Sequence, residues 1–389
     1  MSERTTDNSQ RLVIARAAYD AVPLYDPKRA PVDLDLTDNT NLWGMPPVAE
    51  RTWREMPVSR ITRYPTLYAA ELKQALADYL GVTPDMIVTG CGSDDILDSA
   101  MRAFGEPGDL VAGPEPSFAM IPIFARMNAL AYAGCMERPS HQPDIDALLA
   151  TKPKLLYLCS PNNPTGALLA RDTIERALRD APGVVFLDEA YAEFAGVSSI
   201  DLVKQHDRLL VIRTMSKAFG LAGLRIGYAI GQPSLVMEVE KSRGPYKLNA
   251  MAEQTALAAL QHDMPWVNEH IALAVTLRER LAGDEFGVGA PVAVLHAVRL
   301  ITVLLVLPVA MRLLLASGDR ARDAERWQRV LERSIWHLGV ERSDGELVGF
   351  VRTTSDLALN ANIWDLTAHP AAPERDQLLL VLVHAVLQR

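Results

Sequence analysis

Cysteine is scarce in this chain of 389 residues: Cys91, Cys135 and Cys159 stand far apart, and no C-x-x-C occurs. That excludes a disulfide framework and points to a reducing compartment. The eight histidines show no metal-ligand spacing. Positive charge is in deficit, with 39 Lys and Arg against 48 Asp and Glu for a net −9. No basic cluster stands out, which argues against general nucleic-acid binding. A long apolar run is also missing. The stretch LITVLLVLPVAM at 300–311 is uncharged but short, and a spanning helix needs roughly 20 residues. It reads as a buried strand or helix. The opening MSERTTDNSQ is polar and leads into no long apolar run, so no signal peptide is expected. A cytoplasmic location is the resulting expectation. No internal repeat or low-complexity tract is visible.

What is present is ordinary globular composition, 49% apolar and 22% charged, in a chain long enough for two or three domains. Up to about residue 280, strand and helix patterns alternate. MIVTG (86–90), DLVAG (109–113), KLLYLCS (154–160), VVFLD (184–188), RLLVIRT (208–214) and RIGYAI (225–230) read as short buried strands. Helical spacing appears at 69–80 and from about 94 to 104, and 250–282 reads as two helices. Such alternation predicts an α/β fold with a mostly parallel sheet.

Polar motifs follow the strands: CGSDD after MIVTG, PNNPTG after KLLYLCS, Asp188 ending VVFLD, and MSK after RLLVIRT. If these strands are parallel, all four motifs meet on one sheet edge, where open α/β sheets bind ligands. Each has a plainer reading. Lys217 alone is a surface lysine, but just past a buried strand its amine can lose a proton and attack a carbonyl. Gly92, Ser93 and Asp94 suit an ordinary N-cap, or a phosphate at a helix N-terminus. Asp188 ends an apolar strand, an unusual place for an acid without a partner. Tyr191 follows it. Arg225, eight residues past Lys217, suits a phosphate.

A lysine, a carboxylate, a phenol and a phosphate cradle on one edge describe pyridoxal-phosphate chemistry. Lys217 would bind the cofactor aldehyde, and Asp188 would hold the ring nitrogen protonated. A unit-charge pair at about 4 Å is worth roughly 4 kcal/mol at an effective dielectric of about 20. That equals about three pK units, enough to keep a weakly basic ring nitrogen charged.

Residues from about 30 to 282 resemble the class I/II, fold-type-I aminotransferases, and within them the histidinol-phosphate branch. The resemblance is carried by TDNTNLWGMPP, RYPTLYAAELKQALADYLGV, GCGSDD, PEPSF, CSPNNPTG, FLDEAYAEF and RTMSKAFGLAGLRIGY, in the family's order and spacing. It implies Lys217 as Schiff-base lysine and proton shuttle, and Asp188 as pyridinium partner. It implies Tyr191 and Asn163 as partners of the ring's 3-oxygen, with Phe118 stacking on the ring. It assigns Gly92, Ser93, Asp94, Ser216 and Arg225 to the phosphate. Tyr64 matches a tyrosine that reaches the neighbouring subunit's cofactor, which implies a homodimer. Asn41 falls among the substrate contacts.

The resemblance breaks after the long helix. AVRLITV resembles the family's arginine-bearing strand, which would make Arg299 the substrate's anion clamp; an incidental charge beside an apolar run is the plainer alternative. Much of the small domain is missing. Beyond residue 318, ELVGFVR and NIWDLTAHP resemble strands of GNAT-type acetyltransferases. That family's glycine-rich coenzyme A loop is replaced by AAPERDQLLLVL, so a degenerate remnant is expected rather than a working acetyltransferase.

The expected organisation is an N-terminal arm (1–45), a cofactor-binding large domain (46–265), a truncated small domain (266–318) and a partial GNAT-like α+β segment (319–389). The expected reaction converts histidinol phosphate and 2-oxoglutarate to imidazole-acetol phosphate and glutamate. The alternatives are a related transaminase, a phosphothreonine-type decarboxylase, or a protein that binds pyridoxal phosphate and turns over little.

Overall fold

The computed structural model describes residues 16–24, 38–136 and 142–282, together with the backbone of three strands between 336 and 368. Seven strands form the main sheet: β1 (Ile87–Cys91), β2 (Leu110–Glu115), β3 (Ala131–Met136), β4 (Leu155–Cys159), β5 (Val184–Asp188), β6 (Leu209–Thr214) and β7 (Ile226–Ile230). Their order is β1-β7-β6-β5-β4-β2-β3. β7 runs antiparallel to both neighbours, and the other pairs are parallel. Because β7 is flanked by two reversals, β1 and β6 point the same way. β1, β4, β5 and β6 therefore end on one edge, as the motif pattern requires.

The strands read as unbroken apolar runs because both sheet faces are covered. Successive side chains point to opposite faces, and the cores follow that alternation. Leu156, Leu158, Val185, Leu187, Leu209 and Val211 join one core, with Leu72, Leu76, Ile174, Ala252 and Ala256 from helices on that side. Leu155, Tyr157, Phe186, Leu210 and Ile212 join the other, with Ile96, Leu97, Phe124, Val236 and Val239. The result is a three-layer domain.

The sequence-based strands agree with the structure to within a residue or two. Two features differ from expectation. β3, AYAGCM, was not foreseen; it is an edge strand, mostly half-buried or exposed, with small residues and a weak apolar signal. The helix after β1 starts at Gly92, not near Asp94, and runs to Phe104. The two helices expected in 250–282 are Ala250–His262 and Met264–Ala282.

A buried ionic cluster ties the site's strands together. Arg213 on β6, 4% exposed, donates to Glu189 at 2.8 and 3.1 Å and to Glu193 at 3.0 Å. Glu189 also accepts from the Ser199 backbone at 2.7 Å and the Ser198 hydroxyl at 2.8 Å. The segment carrying Asp188 and Tyr191 is thereby pinned to the strand that leads to Lys217. Removing one partner of a buried ionic group strands the other charges, at about 3–5 kcal/mol. Arg213→Ala should lower unfolding stability by that amount in urea titration. A loss under about 1 kcal/mol, the range of an exposed pair, would show that the cluster is not what fixes this segment.

The segment 38–46 crosses the edge and enters the helix Pro47–Arg54. Buried Asp263 accepts from the Val48 and Ala49 amides at 3.1 and 2.8 Å, satisfying that helix's free N–H groups. Trp43 meets His270 edge-on at 5.6 Å, and His270 stacks on Trp266 at 3.8 Å. The crossing segment is thus held at its far end by two helices.

Three further strands, β8 (Trp336–Glu341), β9 (Leu347–Ser355) and β10 (Ala361–Ala368), make an antiparallel sheet in the order β10-β9-β8. β9 and β10 hold LVGFVR and NIWDLTA, most of the two stretches read as strands in the acetyltransferase-like segment. Arg299, the apolar run 300–311 and the glycine-free stretch after residue 370 lie outside the described residues. Among the described residues, no helix is long and apolar enough to cross a membrane.

Candidate active site

Lys217 lies in the loop after β6, half-buried. Its Nζ donates to the Asp38 carbonyl at 2.5 Å and sits 5.8 Å from the centre of the Tyr191 ring. Burial lowers its pKa below the usual lysine value, and Arg225 pushes the same way; Asp38, Asp94 and Asp188 oppose them. More of the amine is therefore neutral, the form that attacks carbonyls.

Asp188 ends β5 and is 4% exposed. Its Oδ1 accepts from the Ala190 amide and its Oδ2 from the Tyr157 hydroxyl, both at 3.0 Å. Burial pushes its pKa up to about 6; the two hydrogen bonds restrain that rise, and Asp94 and Glu189 add to it. The carboxylate has two anchoring donors and lone pairs to spare, which suits it to a cationic N–H partner. Tyr191 receives a hydrogen bond from Asn39 Nδ2 at 3.0 Å. Burial raises its phenol to about 12, so it remains protonated.

At the other end of the edge, the helix Gly92–Phe104 starts without a side-chain cap. Gly92 has φ +82°, and a Cβ there would sit 2.4 Å from the Arg225 guanidinium. A Cβ on Gly227 would strike the Gly92 and Ser93 backbone at 2.1–2.2 Å. Glycine at both positions lets β7 and Arg225 close on the helix N-terminus. Arg225, itself at φ +53°, pairs with Asp94 at 3.1 Å. Burial raises the Asp94 pKa despite that pair. A guanidinium beside free helix amides is an anion site.

A half-buried lysine, a buried carboxylate, a phenol and a guanidinium beside an uncapped helix start thus share one sheet edge. The family model for aminotransferase class I and II matches residues 32–292.

The chain belongs to the class I and II aminotransferases.

A histidinol-phosphate aminotransferase from Thermoanaerobacter sp. (strain X514) is 38% identical over 227 residues, covering 57% of this chain and 64% of the relative. The chain therefore spans less than two thirds of that relative's length. Among solved structures, the histidinol-phosphate aminotransferase of Sinorhizobium meliloti, in complex with pyridoxal-5'-phosphate, superimposes with a TM-score of 0.62. It is 23% identical and covers 70% of this chain and 78% of its own. An L-threonine-O-3-phosphate decarboxylase from Porphyromonas gingivalis gives 0.55 at 28% identity, covering 62% and 72%. The mostly parallel α/β sheet is that of the fold-type-I aminotransferases.

The other family positions are distributed as follows. Ser216 is buried, its hydroxyl 2.9 Å from that of Thr214. Phe118 is half-buried against the core that contains Tyr157. Asn163 is half-buried in the loop after β4; its neighbour Asn162 is the buried one, and it braces the loop through Ser117, Thr165 and the Pro116 carbonyl. Asn41 accepts from the Trp43 amide at 3.0 Å and reaches the Ala218 carbonyl at 3.4 Å. Tyr64 is 82% exposed and stacks on Tyr246 at 4.8 Å.

Sequence reasoning missed two contributors. Asn39 lies beside Asn41 in an asparagine-rich motif, and only the fold brings it to Tyr191. Tyr157 was read as core, yet it is the one hydroxyl in an otherwise apolar strand. That hydroxyl was the available signal.

Proposed function

We propose that this chain is a pyridoxal-phosphate-dependent aminotransferase of the histidinol-phosphate type, exchanging histidinol phosphate and 2-oxoglutarate for imidazole-acetol phosphate and glutamate. The observation that carries the reading is the convergence of Lys217, Asp188, Tyr191 and Arg225 on one edge. The residues fit the cofactor. Asp188 has acceptor capacity left over, the uncapped helix start awaits an anion, and Gly92 leaves the space that Arg225 fills.

Pyridoxal phosphate supplies an aldehyde that condenses with amines and a ring that, when protonated, takes up the electrons of a bond broken at Cα. Lys217 Nζ would hold the aldehyde carbon, and its neutral amine, when free, would move the proton at the substrate's Cα. Asp188 would accept the ring N–H and stabilise its positive charge. Tyr191 and Asn163 would serve the ring oxygen, and Phe118 would offer the ring an apolar surface. Arg225, Ser216 and the amides of Gly92, Ser93 and Asp94 would bind the phosphate. Asn39 orients the Tyr191 phenol.

The reading extends to a homodimer, with Tyr64 serving the partner's phosphate; its exposure supports this. Arg299 is the proposed substrate clamp, aided by Asn41. The segment 266–318 is a reduced small domain, and 319–389 a degenerate GNAT-like remnant used for packing or association. A second reading, a phosphothreonine-type decarboxylase, is favoured by the likeness to the Porphyromonas gingivalis enzyme.

The test is the visible spectrum of the loaded protein. A band that glutamate bleaches and 2-oxoglutarate or imidazole-acetol phosphate restores supports the transaminase. Loss of carbon dioxide from phosphothreonine favours the second reading, and a band that no amine moves would leave an inert binder. A substitution probes the cradle separately. Gly92→Ala adds about 1–2 kcal/mol of left-handed backbone strain and displaces Arg225. Cofactor affinity, measured by fluorescence titration, should fall about tenfold or more. Unchanged affinity would remove Gly92 from the cradle.

A further inference from the structure

We propose that Tyr157 is a positioning residue for Asp188: its buried hydroxyl fixes the carboxylate's orientation and keeps the shared proton on the cofactor's ring nitrogen. The proposal rests on the cofactor reading above.

The strand register explains the contact. Cys159 on β4 lies opposite Asp188 on β5. Tyr157 is two residues earlier, so it shares a sheet face with Asp188 and sits on the diagonal. The phenol is long enough to span that diagonal, and its oxygen lies 3.0 Å from Asp188 Oδ2. Tyr157 is almost wholly buried, and every other residue of β4 is Leu or Cys. A hydroxyl so placed must find a partner inside the protein. With Ala190 holding Oδ1 at 3.0 Å, each carboxylate oxygen has one fixed donor. The group cannot turn without breaking one of these bonds.

The consequence for proton location has a definite sign. Donation to a carboxylate oxygen lowers its affinity for a proton. In a pair of Asp188 and a ring N–H, a weaker base at Asp188 leaves the proton on nitrogen. Burial works the other way, as do the charges of Asp94 and Glu189, while Lys217 is the nearby cation. The Tyr157 hydroxyl opposes that drift. Burial and the adjacent Asp188 also raise its own pKa well above the usual phenol value, so it stays a donor at every working pH. Phenylalanine at this position would fill the same space and supply no donor.

The experiment loads parent and Tyr157→Phe protein with pyridoxal phosphate carrying 15N in the ring and records the nitrogen resonance against pH. The parent should show the protonated shift across the neutral range. In Tyr157→Phe the proton's partition should move about tenfold toward Asp188, drawing the nitrogen resonance toward the unprotonated shift in the neutral range. In an Asp188→Asn background, the same substitution should leave the resonance where it was, because Tyr157 acts through the carboxylate. A residue that only packs would change thermal stability and leave the nitrogen signal alone. An unaltered resonance in folded Tyr157→Phe, or an equal shift in the Asp188→Asn background, overturns the proposal. A parent protein that takes up no cofactor sinks the underlying reading as well, which separates the two failures.

Discussion

Replacing Lys217 with alanine should abolish turnover in a protein that still folds. The side chain is asked to do two things, hold the cofactor carbon and move the Cα proton, and no neighbour can substitute. Arg225, whose guanidinium pairs with Asp94, offers no amine to attack a carbonyl. Where one group serves as nucleophile and base, its loss removes roughly five to six orders of magnitude of rate. The steady-state rate with glutamate and an acceptor measures this. The fold should hold, because burial disfavours the lysine's charged form in the native state. Residual activity within about a hundredfold of the parent would mean that another amine carries the chemistry.

Asp188→Asn should produce the second large effect, and in two opposite directions. Activity should fall by orders of magnitude, because a neutral amide no longer holds the ring nitrogen protonated. The cofactor-free protein should become more stable at neutral pH. The Asp188 pKa rises from 3.8 to about 6 on folding. A carboxyl raised in this way contributes its stability below the unfolded pKa and loses it as pH climbs through the folded one. The ionised group therefore destabilises the fold by about 3 kcal/mol at pH 7. Asparagine removes that penalty and keeps its partners: its oxygen can accept from Ala190, and its amide can donate to the Tyr157 oxygen. Urea titrations should show a gain of about 2–3 kcal/mol at pH 7 that vanishes toward pH 4. Lower stability at pH 7 would show that the acid is structural rather than functional.

The site was legible where chemistry and strand pattern coincide. Asp188 and Lys217 stand out because charged groups follow strands whose burial the apolar runs already announce. The parallel pairing of β4, β5 and β6 then makes their meeting unavoidable. The antiparallel β7 was not legible, since RIGYAI reads the same in either direction. Its reversal nonetheless brings Arg225 onto the start of the helix Gly92–Phe104. Asn39 and the Asp38 carbonyl were hidden for another reason. Their contacts with Tyr191 and Lys217 bridge more than 150 residues of chain, and no local pattern encodes such a crossing. Tyr157 was hidden by its own ring, which periodicity counts as core. Asn162 and Asn163 look alike in sequence; only burial separates the loop brace Asn162 from its half-buried neighbour.

A cofactor site built around one lysine can be read by borohydride reduction of the loaded protein followed by peptide mass spectrometry. One added pyridoxyl phosphate per chain is expected, on the peptide that contains Lys217. Label on a different lysine, or none in a protein that keeps its colour, would mean that Lys217 does not hold the cofactor.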